Sequence, residues 1–181
     1  MHEDLCTEFM HHLDRDGALG IGNPPVHIQH WLDDLNLPDD LRRLARHSWP
    51  QVDGSFAEIR IFSSESIYED ENTSLLLKYR FLHVGYGLNG DFFVIDFSNE
   101  LCVPGFIALG EWDHQADIPE SPHKFFAPAA PNFDVFLYRV AEGKYVPGDY
   151  YAAWQFNDFL AREGIAEHRA AGDGNQPSNE A

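Results

Sequence analysis

Residues 81–97 read FLHVGYGLNGDFFVIDF, two apolar runs that are separated by Asn89-Gly90. This dipeptide predicts a β-hairpin, because a tight hairpin turn needs positive φ angles that Asn and Gly tolerate. Side chains alternate along a strand, so the second run would have two distinct faces. One face would carry Phe93, Ile95 and Phe97, and the other Phe92, Val94 and Asp96. Because both faces are apolar, we expect a central strand covered on both sides.

The segments before this hairpin are predicted to be mainly helical. Residues 1–25 contain an amphipathic helix and a loop, and residues 26–35 fit a second helix. A third helix should start after Pro38, since proline and acidic residues suit a first turn. Residues 55–62 alternate between apolar and polar side chains, which predicts one half-exposed strand. Residues 63–72 are acidic and serine-rich, typical of a short helix or turn.

The segments after the hairpin return to helices. Residues 103–109 fit a strand, and Phe125-Phe126 fits a short edge strand. Asn132 should cap a helix that ends at Gly143, and residues 150–160 fit a last helix. Helices, then strands, then helices favour an α+β fold. We therefore expect a single domain whose central, mostly antiparallel sheet is flanked by N-terminal and C-terminal helices.

Composition and helix pattern divide this domain into four segments. Residues 1–25 would form an N-terminal helix and loop, and residues 26–142 an α+β core. Residues 143–163 would form a C-terminal helical extension, which either covers a sheet edge or mediates dimer contacts. Residues 164–181 are polar and rich in Gly, Pro, Asn and Ala, which predicts a disordered tail.

The charge balance is strongly acidic. The chain has 12 Lys and Arg against 30 Asp and Glu, which gives a formal net charge of −18. Such a chain repels phosphate backbones, so we expect no direct contact with nucleic acid. The same charge would steer the protein towards a basic partner. The alternative explanation is that the acidic surface serves solubility alone.

The cysteines and the apolar segments bear on the compartment. Cys6 and Cys102 stand in no C-x-x-C pair and no zinc spacing, which predicts small buried thiols in a reducing compartment. The first residues show no signal-peptide pattern, and no apolar run is long enough to cross a bilayer. We expect a cytoplasmic protein without membrane contact.

Residues 111–114 form the best catalytic candidate, because Glu111, Asp113 and His114 can exchange protons and stand together. A carboxylate and a histidine also meet by chance in polar loops. The chain has no G-x-S-x-G motif, and Cys102 lies in no catalytic motif. The pair His27 and His30 lacks a third zinc ligand. We therefore predict no enzyme, no metal and no cofactor.

Acidic and aromatic residues outside the predicted core are candidates for a protein-binding surface. Aromatic residues make up 14% of the chain, and some lie in loops or at element ends. Exposed aromatic side chains among acidic groups are typical of interfaces. For residues 69–71 the alternative is a solvated charged face. The predicted contact residues are Glu69, Asp70, Glu71, Glu111, Trp112 and Asp113.

Five short segments together resemble the SUKH superfamily, the Smi/Knr-like proteins. They are LPDDL at 37–41, FLHVG at 81–85, GDFFVID at 90–96, PGFI at 104–107 and FAPAAPNFDVFL at 126–137. Their order and spacing are similar to the family pattern of a helix starting near Leu-Pro, a central hairpin, a further strand and a closing helix. The resemblance spans the segment 26–142. Asn132 stands where the family usually has serine.

The resemblance implies a non-enzymatic binding domain, and it carries over no catalytic residue. Many bacterial members are similar to immunity proteins that neutralise toxins, often nucleases, and some fungal members regulate cell-wall synthesis. We expect an immunity protein, monomeric or homodimeric, that binds a basic toxin domain and covers its active site. Two alternatives stay open. One is a regulatory or scaffolding protein that acts through protein contacts, and the other is a small hydrolase-type enzyme that uses Glu111, Asp113 and His114.

Overall fold

A computed structural model describes Met10, Asp14 and residues 19–56, 58–112 and 120–162. Within these ranges the chain forms six α-helices and one six-stranded antiparallel sheet. The helices are α1 (Val26–Asp34), α2 (Asp39–His47), α3 (Ser64–Glu69), α4 (Glu71–Leu77), α5 (Phe133–Ala141) and α6 (Tyr150–Arg162). The strands are β1 (Gly54–Phe56), β2 (Ile59–Ile61), β3 (Phe81–Tyr86), β4 (Phe92–Asp96), β5 (Val103–Ile107) and β6 (Phe126–Pro128). The predicted single-domain α+β fold is confirmed.

The strands lie side by side in chain order, from β1 to β6, and every neighbouring pair is antiparallel. Neighbouring antiparallel strands need only short connections, whereas a parallel pair needs a long crossover. The predicted hairpin, β3 with β4, occupies the middle of the sheet. Its central position follows from the apolarity of both faces of β4.

The two faces of β4 point into two separate cores, as predicted. Phe93 and Ile95 belong to the larger core, which is completed by apolar side chains from α1, α2 and α5. Phe92 and Val94 belong to a second core with Leu76 of α4. Each face of the sheet is therefore covered by helices or by the connecting segments around them.

The loop of the central hairpin is longer than the predicted tight turn. Tyr86 pairs with Phe92, so residues 87–91 form the connection. Gly90 has a φ of +83°, but Asn89 does not have a positive φ. At the end of this loop, the Asp91 carboxylate accepts hydrogen bonds from the backbone N–H groups of Leu109 and Tyr150.

Residues 55–62 were predicted as one strand, and this was wrong. The chain reverses after Phe56 and forms the short hairpin of β1 and β2, with Gly54 opposite Ile61. Glu58 at the reversal has a φ of +66°. A hairpin and a straight strand share the same alternating period, so the pattern did not distinguish them.

Residues 63–72 contain two helix starts instead of one short helix or turn. Ser63 caps α3 by accepting a hydrogen bond from the backbone N–H of Ser66. Asp70 caps α4 in the same way through Thr73, at 2.8 Å. Helix α4 then extends to Leu77, four residues before the hairpin begins at Phe81. Its Leu76 is fully buried against the sheet.

The other predicted helices that fall on described residues are confirmed. Helix α2 begins directly after Pro38, with acidic residues in its first turn. Asn132 caps α5 by accepting a hydrogen bond from the N–H of Val135 at 2.8 Å. Gly143 follows α5 with a φ of +62°, a conformation that favours glycine.

The predicted C-terminal extension packs as part of the core. Helix α6 lies against β5 and β6, and its Ala153 is fully buried in the larger core. The side-chain amide of Asn157 donates a hydrogen bond to the Pro128 carbonyl at 2.8 Å. The helix thus covers the β6 edge, one of the two roles expected for it. Most of the predicted first helix, Cys6 and the predicted tail 164–181 lie outside the described residues.

Candidate functional site

The predicted contact residues fall into two groups on different elements. Glu69, Asp70 and Glu71 lie at the junction of α3 and α4. Glu111 and Trp112 follow β5 after a turn. Asp113 and His114 lie outside the described residues, so the candidate acid–base cluster is untested.

Asp70 has a structural role in addition to its predicted role in partner binding, which stays a prediction. Its Oδ2 accepts hydrogen bonds from Thr73 N, at 2.8 Å, and Thr73 Oγ1, at 3.1 Å. The same oxygen lies 2.7 Å from Nδ1 of His83. Burial alone would raise the pKa of Asp70, but the hydrogen bond and charge of His83, together with Thr73, hold it below its ordinary value. The carboxylate is therefore occupied inside the molecule.

His83 is enclosed between two acceptors. Its Nδ1 faces Asp70, and its Nε2 lies 2.8 Å from the Gly85 carbonyl oxygen. Both hydrogen bonds form together only when the ring carries a proton on each nitrogen. The side chain is 0% exposed. A substrate therefore has no access to the imidazole ring.

Glu69 and Glu71 are exposed, as a contact role requires. Glu69 follows Tyr68, whose ring packs edge-on against His27 and Trp31 with centroid distances of 5.4 Å. The α3–α4 junction therefore presents carboxylates next to a partly exposed aromatic cluster.

Trp112 is a core residue, and its predicted role in partner binding was wrong. The side chain is 1% exposed, and its Nε1–H donates to the Glu120 carbonyl at 2.8 Å. Its ring packs against Tyr79 and Phe92, with centroid distances of 6.4 Å. Trp112 thus closes the second core over the sheet.

Helix α6 presents two large aromatic side chains to solvent. Tyr151 is 52% exposed and Trp154 is 56% exposed. They are three residues apart, so they lie on the same side of the helix. Trp49 and Trp112 are buried and Trp31 is half-buried, which makes Trp154 the one exposed tryptophan of this protein.

An exposed carboxylate completes this surface. Glu111 Oε1 accepts a hydrogen bond from the Tyr151 hydroxyl at 2.7 Å. The Tyr150 ring packs edge-on against Tyr151, with a centroid distance of 5.4 Å. We call the set of Glu111, Tyr151 and Trp154 the α6 face.

The electrostatic environment of the α6 face is anionic. The hydrogen bond to Glu111, and then the charges of Glu111 and Asp91, raise the pKa of Tyr151. Burial raises the pKa of Tyr150, and the same two carboxylates add to this effect. The charged groups that act on both tyrosines are therefore carboxylates, which disfavour a further negative charge here and favour a cation.

Asp91 connects the segment that carries Glu111 with the start of α6, which carries Tyr151 and Trp154. Its side chain is nearly buried, with 6% exposure for the residue. One carboxylate oxygen accepts a hydrogen bond from Leu109 N at 3.3 Å, two residues before Glu111. The other accepts from Tyr150 N at 3.1 Å, at the start of α6.

The hairpin loop makes further contacts with the start of α6. Leu88 N donates to the Gly148 carbonyl at 2.9 Å, and the Asn89 side-chain amide donates to Asp149 Oδ2 at 2.9 Å. A Cβ on Gly87 would lie 2.6 Å from the Gly148 oxygen, so this approach requires glycine. The central hairpin therefore sets the position of the helix that carries the exposed aromatic residues.

Glu111 was predicted as a contact residue, but Tyr151 and Trp154 were not. Residues 150–160 were predicted as a helix from their apolar stripe, which includes Ala152 and Phe156. The signal that could have identified them lies on the opposite side of the helix from this stripe. Two large aromatic residues at helical spacing outside the apolar stripe are unusual on a surface that serves solubility alone.

A groove of about 510 Å³ lies between the start of α2 and the turn after β4. Its lining combines Arg42 and Arg80 with Asp39 and Glu100. Arg42 donates to the Leu37 carbonyl, and Arg80 donates to the Phe97 carbonyl. Because the lining carries both signs of charge, the groove favours no particular class of ligand.

The thiol of Cys102 is buried in the larger core, as predicted, and burial raises its pKa to about 11. In the described part of the chain, no three His, Cys, Asp or Glu side chains are grouped so that they could hold a metal ion. Among those same residues, no helix combines the length and apolarity needed to cross a membrane.

Comparison of the chain with protein-family models, curated proteins and solved structures found no match. The resemblance to the SUKH superfamily stays a prediction.

Proposed function

We propose that this protein is a non-catalytic, cytoplasmic protein-binding domain of the immunity type. It binds a basic toxin domain, such as a nuclease, and blocks access to the active site of that toxin. The observation that carries the proposal is the surplus of carboxylates, which gives a formal net charge of −18, in a chain whose described Lys and Arg side chains mostly contact other groups of the same chain.

The internal engagement of the cations is extensive. Arg46 pairs with Asp33 at 2.7 Å, and Lys124 pairs with Glu120 at 3.0 Å. Other basic side chains lie over aromatic rings. The remaining described contacts of these kinds are Arg42–Asp39, Arg43–Asp40, Arg60–Asp53, Arg60–Phe62, Arg80–Phe97, Arg139–Phe156 and Lys144–Tyr138. A basic partner would supply the cations that the remaining carboxylates lack.

The mechanism is electrostatic steering followed by occlusion. A strongly negative protein attracts a basic partner and raises the association rate, which can reach about 10⁸–10⁹ M⁻¹s⁻¹ at low salt. Exposed aromatic side chains then supply contact area, because Trp and Tyr are enriched among the residues that dominate binding energy. The partner's active site is covered without any chemical step by this protein.

Two groups that would suit catalysis support a binding function instead. The His83 ring is fully buried beside Asp70, and the Cys102 thiol, whose pKa burial raises to about 11, stays protonated at neutral pH. The resemblance to SUKH proteins also favours binding, since it carries over no catalytic residue.

The test is whether the protein binds the product of the adjacent gene. Calorimetry measures the binding, and a separate assay measures the toxic activity of that product. We expect a stoichiometric complex in which toxin activity is lost. The association rate should fall by about tenfold or more between low and physiological salt, because the long-range attraction is screened. A basic, toxin-like neighbour that does not bind at low salt would contradict the proposal.

A regulatory or scaffolding function through protein contacts is the second candidate. The exposure of Tyr151 and Trp154 favours it as well, since the same surface suits a homodimer. Sedimentation would distinguish the two functions: a stable dimer that Trp154→Ala dissociates, together with no effect on any toxin, supports the scaffolding function.

A further inference from the structure

We propose that the α6 face is the docking surface for a Lys or Arg side chain of the partner protein. The rings of Tyr151 and Trp154 form the platform, and the Glu111 carboxylate supplies the counter-charge. This inference rests on the proposed function and adds its contact surface and the chemistry of its partner.

The aromatic platform is open to another molecule. More than half of the surface of Tyr151 and of Trp154 is exposed, at 52% and 56%. A cation over the face of an aromatic ring is favourable, and tryptophan is the strongest of the aromatic residues in this contact. The edge-on contact with Tyr150 and the hydrogen bond to Glu111 hold the Tyr151 ring in place.

The chain already uses this contact close by. The Arg139 guanidinium lies 5.0 Å from the ring centroid of Phe156, two positions after Trp154 on α6. The Lys144 ammonium lies 4.5 Å from the ring centroid of Tyr138. These pairs show that cations lie over aromatic rings in this region. On the exposed side of α6, the partner would supply the cation.

Charge complementarity decides which partner fits. Glu111 and Asp91 act on both tyrosines of this region, and Asp149 caps the helix by accepting from Ala152 N at 2.8 Å. An acidic peptide or an anionic lipid surface would be repelled by these carboxylates. A guanidinium or ammonium group would be attracted by both the carboxylates and the rings.

The face is also organised before any partner arrives. Asp91 joins the segment that leads to Glu111 with the first residue of α6, through hydrogen bonds of 3.3 and 3.1 Å. A surface that is already ordered loses less conformational entropy on binding. The two halves of the face can therefore act as one recognition site.

The first experiment titrates the full chain with a fluorescently labelled peptide of alternating Gly and Arg, followed by anisotropy at low salt. Trp154→Ala and Glu111→Gln should each weaken binding by about fivefold or more, since each removes a cation contact. The matched controls are Tyr138→Ala, whose side chain is 54% exposed, and Glu65→Gln, whose side chain is exposed on α3. Each control should change the peptide affinity by less than about twofold. Unchanged thermal melting of the variants verifies that they fold.

A second readout locates the contact directly. The indole N–H signal of Trp154, assigned by its loss in Trp154→Phe, should shift during the peptide titration in nuclear magnetic resonance spectra. An unmoved indole signal at saturation would overturn the inference. Control variants that weaken binding as much as the α6-face variants would also overturn it.

Other occupants give different results. A shift of the same signal on dilution of the protein alone would indicate a second copy of this chain. A shift with phosphatidylglycerol vesicles or with a Gly-Glu peptide, but not with the Gly-Arg peptide, would indicate an anionic occupant. Each of these results contradicts docking of a basic side chain.

The inference and the proposed function fail separately. If the adjacent gene product binds the wild type and Trp154→Ala equally well, the proposed function stands and the α6 face is not its contact surface. If that product does not bind at all, the proposed function fails, and the peptide titration still decides the chemistry of the α6 face.

Discussion

Asp70 stabilises two different parts of the structure. It caps α4 through Thr73, and it holds the enclosed His83 ring of the central sheet. The first task follows from its place at a helix start, which is visible in the sequence. The second depends on a residue thirteen positions away and appears only in the folded chain.

Replacement of Asp70 by alanine tests this double role. Asp70→Ala should lower the free energy of unfolding at pH 7 by about 2–4 kcal/mol, because a helix cap is lost and a buried imidazole loses its partner. The measurement is urea unfolding. Glu69→Ala is the matched control on the neighbouring exposed position and should change stability by less than about 0.5 kcal/mol.

The effect should depend on pH in a defined direction. In the folded state the pKa of Asp70 lies below its ordinary value of 3.8, so the unfolded chain takes up this proton first as the pH falls. The contribution of Asp70 to stability is therefore present above about pH 4 and lost as the pH falls through the folded pKa. A destabilisation by Asp70→Ala that is as large at pH 2 as at pH 7 would contradict this role.

At the scale of elements, β3 depends on a close approach to β2. A Cβ on Gly85 would overlap the carbonyl oxygen of Arg60 on the neighbouring strand. The register of β3 against β4 also shifts between His83 and Gly85. Because glycine has no side chain, β3 can approach β2 closely at the same place where its register against β4 shifts.

We expect Gly85→Ala to destabilise the protein by about 3 kcal/mol, because the added methyl group meets backbone atoms that cannot move aside. Gly110→Ala is the matched control, since a Cβ there would meet nothing within 4 Å. Thermal unfolding of both variants is the measurement. Equal melting temperatures for Gly85→Ala and the wild type would contradict this, because they would show that β2 and β3 can move apart without loss of stability.

The sequence predicted the elements whose signals are local. Helices α1, α2, α5 and α6 have apolar stripes or caps that are visible in short windows. The turn between β1 and β2 was not predictable, because alternation continues through it. Helix α4 was missed because residues 75–77 are three consecutive leucines, and a short apolar run does not by itself distinguish the end of a helix from a strand.

The proposed contact surface was predictable only in part, for a similar reason. Glu111 was identified because its charge is visible in the sequence, but the burial of Trp112 depends on Tyr79 and Phe92 of distant segments. The exposure of Trp154 likewise depends on which side of α6 meets β5 and β6. Long-range packing decides which aromatic residues stay accessible, and short sequence patterns do not contain that information.

At the scale of the whole molecule, β4 contributes side chains to both hydrophobic cores. Phe93 lies in the larger core, where it packs against Phe136 of α5 at a centroid distance of 5.4 Å. Its neighbour Phe92 points to the other face and packs against His83 at 4.6 Å. The protein therefore depends on packing on both sides of one sheet.

Truncation of either phenylalanine should destabilise the protein to a similar extent. Phe92→Ala and Phe93→Ala should each lower the free energy of unfolding by about 3–5 kcal/mol, because each leaves a cavity in a buried core. Tyr138→Ala serves as an exposed aromatic control. If Phe92→Ala costs less than about 1 kcal/mol, the second core does not contribute to stability.

The coverage of β6 by α6 bears on how copies of this chain meet one another. The Asn157 amide occupies the Pro128 carbonyl, so a foreign strand finds that flank already bonded. At the opposite flank of the described sheet, β1 offers only Gly54–Phe56. Unpaired strand flanks are the usual starting points of fibril growth. One flank closed by a helix and another limited to a single short strand leave little template for such growth, even at high protein concentration.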